Sequence, residues 1–348
     1  MLILNPRATS MTGELAGQVV RELGTSLDLR TAQTRYRGHA GELAAAAAAQ
    51  AHELVVVFGG DGTINEVVNG LMATPARGAP GGGTPDGAPP GGGAPGGGAA
   101  GAELVRPAIA PVPGGGGNVF ARTLGVPIDP VAAARHIVAA AASGPRRIIG
   151  LSRAQAVVSQ PDGTAQAEDR YFTFSAGLGL DAEVVGDVER ARASGQRARQ
   201  GLYMRTALRR YYTATDRSKP ALTLHVPGQP EVSGLFMGVV TNSSPWTFVG
   251  SHPVVPVPHG SRDSYLNSGL DVFALRRLRT LTTLGALHQM LHANSNPPTG
   301  PDVIRAQAQA RVTFSADRPI AFHIDGEYLG ETEQVAFTFV PDALRVVA

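Results

Sequence analysis

The chain has 348 residues, 43% of them hydrophobic, with 30 basic and 28 acidic side chains and a formal net charge of +2; this is enough for two domains with real cores and excludes disorder of the whole chain. It contains no cysteine, which removes thiol catalysis, disulfides and thiolate metal sites and is compatible with a reducing compartment. Lys219 is its one lysine, so a cation that touches phosphate is an arginine or a metal, and a Walker A loop with its Gly-Lys-Ser/Thr is absent.

Met1 to Pro6 has no charged n-region, so no signal peptide is expected. Residues 2–5 read as a strand, 11–23 as an amphipathic helix, 27–31 as a strand and 40–52 as an alanine-rich helix. The longest apolar stretch, Leu43 to Phe58, is broken by Gln50, His52 and Glu53, which predicts no transmembrane helix. A buried strand at 54–58 and a helix at 63–72 continue the alternation, which points to a parallel α/β sheet. Arg77 to Gly101, with its repeated Gly-Ala-Pro-Gly-Gly-Gly, cannot offset the entropy of ordering and reads as a flexible surface loop without chemistry.

Order resumes with a strand at 107–113, a second glycine turn at 114–117 and a helix beginning near Asn118. Asp129 and Pro130 form an N-cap and first-position pair for a helix through Ala142, and Ser143 to Pro145 is the expected domain boundary. Short β-rich segments follow at 147–159, 170–176, 221–226, 234–241, 269–275, 311–315, 319–324 and 334–340, with helical stretches only at 181–213 and 276–293. This pattern predicts a parallel α/β domain over 1–144 and a mainly antiparallel β domain over 145–348.

The segment Leu54 to Gly70 carries the clearest chemistry. Its β-branched strand runs into Gly59, Gly60 and Gly62, which let the backbone turn sharply and bring its N–H groups close to a ligand. Thr63 then opens a helix with Glu66 in its first turn. Unpaired N–H donors and the positive dipole end at such a site suit a triphosphate without a lysine. In a parallel sheet the strand C-termini share one edge, so Asn5 and Thr34 can face the same ligand, as can the turn from Pro113 to Arg122.

Asn5-Pro6, Thr34 to Ala40, Gly59 to Gly70, Pro113 to Arg122, Gly177 to Glu183 and Asp325-Gly-Glu327 together resemble the diacylglycerol kinase catalytic family, in its bacterial lipid kinase branch, and occur in that family's order. The resemblance implies an N-terminal Rossmann-like nucleotide domain, a C-terminal β-sandwich and a cleft between them for a lipid hydroxyl. ATP would be held by Asn5, Arg7, Thr34, Gly59, Gly60, Asp61, Gly62, Thr63, Ile64, Asn65, Glu66, Gly115, Gly116 and Asn118, and Asp325 or Glu327 would be the base. An alcohol needs such a carboxylate to accept its proton as the phosphoryl group transfers. The two carboxylates share one face if 325–327 is a strand; the glycine between them marks a turn instead.

The chain departs from the family pattern at Gly116, where a threonine is usual, and at Val119, where an acid is usual. Asp61 is then the carboxylate best placed for the catalytic Mg²⁺. A second, structural Mg²⁺ loop resembles Ser264 to Asp271, with Ser264, Asn267 and Gly269 as its ligand positions; the neutral Asn267 would weaken it. The resemblance further implies work at the inner face of a membrane, on an anionic surface, as a peripheral cytoplasmic protein, with a homodimer left open; no nucleic acid is expected as partner, since no recognition motif supports one.

Other readings compete. Sphingosine and ceramide kinases share the resemblance, and NAD kinases share the Gly-Gly-Asp-Gly theme. A protein that binds nucleotide or lipid without transferring phosphate is the non-enzymatic alternative. Gly177-Leu-Gly-Leu-Asp-Ala182 matches the dinucleotide fingerprint, but no acidic strand end follows about twenty residues later. His288 and His292 have zinc-helix spacing without the catalytic glutamate, and leucines at 281, 284, 287 and 291 favour packing. The arginine- and tyrosine-rich stretch Val188 to Arg217 suits either an anionic membrane or a solvated helix face.

Overall fold

The computed structural model describes residues 1–74, 106–143, 147–160, 162–193, 206, 209–210, 219–258, 266–292 and 298–348. The glycine-rich tract, Ser264 and most of the 194–217 stretch lie outside the described residues. An N-terminal parallel α/β domain is followed by a mostly antiparallel β domain.

The first domain runs β1 (Leu2–Leu4), α1 (Gly13–Leu23), β2 (Thr31–Gln33), α2 (His39–Ala49), β3 (Leu54–Gly59), α3 (Asp61–Ala73), β4 (Ala108–Pro113), α4 (Val119–Leu124) and α5 (Pro130–Ser143). Its strands are parallel in the order β4-β3-β1-β2. Central strands covered by helices on both faces need apolar side chains throughout, and Val55 to Phe58 and Ala108 to Val112 supply them. Strand β2 lies further along the chain than the expected 27–31. Pairing with β1 starts at Leu2 and Thr31, and Leu27 and Leu29 pack on the core from the preceding loop. Helix α3 begins two residues before Thr63, because extended Gly60 serves as N-cap and its carbonyl accepts from Ile64 N at 3.1 Å.

Helices α2 and α3 cross at two glycines. A Cβ built on Gly70 would lie 2.1 Å from Gly41 O, so only glycine permits this approach. Gly70→Ala is expected to lower stability by about 1–3 kcal/mol in urea unfolding, because overpacking outweighs the better helix propensity of alanine. A more stable variant would contradict the close crossing.

The second domain contains β5 (Arg147–Ser159), β6 (Ala165–Phe172), β7 (Ser175–Gly179), α6 (Leu180–Ala193), β8 (Leu222–His225), β9 (Val232–Leu235), β10 (Met237–Thr241), β11 (Thr247–Val249), β12 (His252–Val254), β13 (Leu270–Leu275), a helix labelled α7 (Thr280–Leu291), β14 (Val303–Gln309), β15 (Arg311–Ile324) and β16 (Glu327–Val346). Its main path is β14-β13-β10-β7-β15-β16, with β8 added to β15 and β5 to β16. The segments expected at 311–315 and 319–324 form one strand, whose register shifts between Ser315 and Ile320 around Pro319. Strands β11 and β12 are three residues each, too short to show a pattern, and the alternating face of β14 is mostly alanine, which hides them from a sequence reading. Phe172, Phe314 and Phe322 meet Phe337 edge to face at the centre of this core. The end of β16 returns to the first domain, where Val346 pairs in parallel with Ile109 and joins its core.

Candidate active site

The C-terminal ends of β1, β3 and β4 meet at one edge of the parallel sheet. Asn5 follows β1 and donates from Nδ2 to Thr63 Oγ1 at 2.7 Å, while its Oδ1 accepts from Arg7 N at 3.0 Å. Thr34, just past β2, donates its backbone N–H to Leu4 O at 2.9 Å, and Arg7 is exposed. The two glycine turns lie back to back: Gly114 N donates to Gly59 O at 2.9 Å, and a Cβ on Gly115 would come within 2.7 Å of Gly60 Cα. These glycines are therefore demanded by turn-on-turn packing. Gly62, Gly116 and Gly117 are exposed and form the open side of the pair.

Asn118 takes a left-handed φ of 50°, which asparagine tolerates. Its side chain closes the second turn, accepting from Gly115 N at 2.8 Å and donating to Gly115 O at 2.7 Å. Ile64 is fully buried in the first core, and Glu66 Oε2 accepts from Ala40 N at 3.2 Å at the start of α2.

Asp61 stands between the turns, with Oδ1 accepting from Phe120 N at 3.1 Å at the start of α4. A Cβ on Gly117 would lie 3.1 Å from its Oδ2. Burial pushes its pKa up to about 6 against the pull of the Val119, Phe120 and Asn118 amides, and the Asp325 charge adds to the rise. A carboxylate raised this way suits a cation, which would supply the counter-charge that burial makes costly to lack. A raised folded pKa means that the contribution to stability is full below the ordinary value of 3.8 and is lost as pH rises through about 6. Asp61→Asn is accordingly expected to stabilise the protein at pH 8 by up to about 3 kcal/mol. Water contact at the half-buried side chain makes this an upper bound. The gain should vanish near pH 3; denaturation curves at the two pH values check it, and no gain at pH 8 would contradict the buried charge.

Asp325 and Glu327 lie where the two domains meet. Ile324 pairs with Glu327, and Asp325 and Gly326 have φ of 47° and 74°, the two left-handed residues of a tight hairpin turn between β15 and β16. Asp325 is buried, and its carboxylate accepts five hydrogen bonds. Oδ2 takes Asn65 Nδ2, Thr173 N and Thr173 Oγ1, each at 2.8 Å; Oδ1 takes Phe174 N at 3.0 Å and Ser175 N at 3.1 Å. Burial raises its pKa, opposed by these donors.

Glu327 differs. Its Oε2 accepts from Arg170 Nη2 at 2.6 Å, and its Oε1 pairs with Arg37 of the first domain. Burial would raise its pKa, but Arg170 and Arg37 outweigh it and hold the carboxyl below its usual range. Glu327, Arg37, Arg170, Glu66 and Asn69 line a cavity of about 360 Å³.

Asn65 links these groups. Besides Asp325, its Nδ2 donates to Tyr171 O at 3.0 Å, and its Oδ1 accepts from Arg170 Nε at 2.9 Å. One turn on, Asn69 Oδ1 accepts from Tyr171 N at 2.9 Å. Helix α3 thus binds β6 and the Asp325 turn through two asparagines on one face. Arg37, Asn69, Arg170 and Thr173 were not singled out from the sequence. Arg37 lies inside the Thr34–Ala40 motif; Arg170 and Thr173 carry no local signal.

Of the three expected structural-metal positions, Ser264 lies outside the described residues. Asn267 Nδ2 donates to Ile148 O at 3.0 Å, and Gly269, with φ of 119°, packs on the Ala308 backbone. Among the described residues no group of three or more His, Asp or Glu side chains could hold a metal ion. Gly177, of the dinucleotide-like fingerprint, makes room for a buried contact instead: His323 Nε2 and Asp181 Oδ2 lie 2.6 Å apart, where a Cβ on Gly177 would intrude. Among the described residues no helix is long and apolar enough to cross a membrane.

Residues 1–144 match the family model of the diacylglycerol kinase catalytic domain. No curated protein matches the sequence. A solved diacylglycerol kinase from Bacillus anthracis str. Sterne is 17% identical, with a TM-score of 0.62 over 99% of this chain and 95% of its own. Two structures from the same strain, provisionally assigned as diacylglycerol kinases, are 20% and 19% identical with TM-scores of 0.66 and 0.64 and the same coverage. At these identities the likeness shows the fold.

Proposed function

We propose that this chain, whose residues 1–144 match the family model of the diacylglycerol kinase catalytic domain, is a lipid kinase that transfers the γ-phosphoryl group of ATP to a lipid hydroxyl, with diacylglycerol as the leading acceptor and phosphatidic acid as the product. The reading rests above all on one observation: Asn65, four residues after Asp61 at the glycine turns, bonds directly to Asp325 in the other domain, so phosphate donors and acceptor-side carboxylates share one cleft. We assign nucleotide binding to 1–144 and lipid binding to 145–348, at the inner face of a membrane.

In this proposal the open glycines 62, 116 and 117 and the first turn of α3 receive the phosphates. Asp61 would hold Mg²⁺, which would neutralise phosphate charge there. Glu327 lines the cavity and orients the acceptor hydroxyl, whereas five donors already fill the Asp325 carboxylate. The acceptor oxygen bonds to the γ-phosphorus as the bond to the β–γ bridging oxygen breaks, ADP leaves, and the hydroxyl proton passes to Glu327. Arg37, exposed along most of its side chain, is free to turn from Glu327 toward an arriving phosphate.

The test is ATP-dependent phosphorylation of a lipid panel containing diacylglycerol, sphingosine and ceramide, with NAD as a further acceptor. Labelled phosphatidic acid is the expected product. Binding of ATP and lipid without transfer to any acceptor would leave a nucleotide- and lipid-binding protein, and transfer to NAD alone would replace the lipid acceptor.

A further inference from the structure

Away from the catalytic cleft, a larger cavity of about 640 Å³ opens between β9 and the segment joining β13 to α7. Pro220, Ser233, Phe236, Arg276, Arg277 and Arg279 contribute to its lining, together with one acid, Glu231. Glu231 faces His225 Nδ1 at 3.0 Å. Arg277 lies 3.8 Å from Asp302, whereas Arg276 and Arg279 have no ion-pair partner among the described residues. Lys219, the one lysine, adjoins Pro220. Three exposed guanidiniums within four residues, opposed by so little negative charge, form a site for phosphate-bearing anions.

Helix α7 starts from these arginines and shows two apolar sides. Ala286 and Met290 are buried, and Met290 packs with Met237, Val254 and Phe273. Leu281 and Leu284, one turn apart, point outward and are 86% and 45% exposed; Leu281 is the most exposed large hydrophobic residue among those described. Outward leucines directly beside unpaired arginines match the two layers of an anionic bilayer, its phosphate headgroups and its acyl chains. A free phosphate metabolite would use the arginines and leave the leucines unexplained.

We propose that Arg276, Arg277 and Arg279 with Leu281 and Leu284 form a docking surface for an anionic phospholipid bilayer. It lies at the opposite end of the β7–β10–β13 ladder from Ser175, whose carbonyl accepts from Asp325 N, so its variants leave the proposed catalytic groups untouched. It differs in sequence from the Val188–Arg217 stretch. The proposal deepens the lipid-kinase reading by naming where the membrane is met, and it is tested by binding alone, so the two readings fail separately.

The experiment is flotation of the full chain with vesicles of phosphatidylcholine, with and without phosphatidylglycerol. Parent protein is expected to float with the anionic vesicles only, less so at high salt. The Arg276→Glu, Arg279→Glu pair should lower partitioning by about tenfold or more, and the Leu281→Ser, Leu284→Ser pair by about tenfold. The Arg21→Glu, Arg30→Glu pair changes net charge equally on a distant surface and should bind as the parent does. Circular dichroism confirms folding of each variant. The proposal is overturned if the parent does not float, or if the distant pair loses as much binding. It also fails if glycerol phosphate displaces the protein while the leucine pair binds normally, which marks a small-anion pocket. Loss of a dimer in the leucine pair with unchanged flotation overturns it in favour of a second copy.

Discussion

Glu327→Gln is expected to lower kcat by about 10²–10⁴-fold with the fold retained, the range typical of a lost general base. Glutamine keeps the shape and an oxygen for Arg170, whose Nε remains bonded to Asn65 Oδ1. What it loses is the ability to accept a proton. Because Arg170 and Arg37 hold the Glu327 pKa below the usual range, the carboxylate is ionised throughout the neutral range. The acid limb that Glu327 contributes to kcat/KM is therefore expected below the ordinary glutamate pKa, apart from a limb at about 6 that belongs to Asp61. The same depression stabilises the fold above the unfolded pKa, and that contribution disappears as pH falls through the folded value. Steady-state kinetics on the lipid acceptor check the first part and a pH profile the second. If Glu327→Gln turns over at the parent rate, Glu327 has no part in handling the hydroxyl.

Asp325→Asn is expected to destabilise the folded protein by about 1–3 kcal/mol, with activity lowered as a consequence: the cost of unpaired donors exceeds the relief of a buried charge whose pKa burial raises. The backbone is not the source, since asparagine accepts the left-handed turn conformation as readily as aspartate. The loss comes from the carboxylate, to which three backbone N–H groups, Thr173 Oγ1 and Asn65 Nδ2 all donate. An amide presents one acceptor oxygen, and its NH₂ would face donors, leaving buried N–H groups unpaired. Chemical denaturation beside kinetics separates the roles. Unchanged stability with abolished kcat would move the proton-accepting role from Glu327 to Asp325.

The local features of the chain were legible in its sequence because their causes are local. A β-branched run before glycines makes β3 and its turn, alanine-rich and capped segments make helices, and the alternation of the two makes a parallel domain. The Asp-Gly pair between β15 and β16 reads as a hairpin turn for the same reason, since only a few residue types accept left-handed φ. Strand β14 was missed although Ile304, Ala306 and Ala308 alternate with Arg305, Gln307 and Gln309, because alanine is a weak strand former and pairing with β13 fixes the segment.

Sequence alone determined that glycine turns, an early asparagine and a late Asp-Gly-Glu are present, and it excluded a lysine-based phosphate loop and thiol chemistry. Tertiary structure decided what each side chain does there. It folded the Asp325 carboxylate into a nest of five donors, set Glu327 in the cavity between two arginines, and brought Asn65, four residues after Asp61 in α3, into a hydrogen bond with Asp325. Those assignments depend on contacts between residues more than 150 positions apart, such as Asn65 and Asp325 or Arg170 and Glu327. Burial and pairing, which set a carboxylate's pKa and its access to substrate, arise only when the chain brings such groups together.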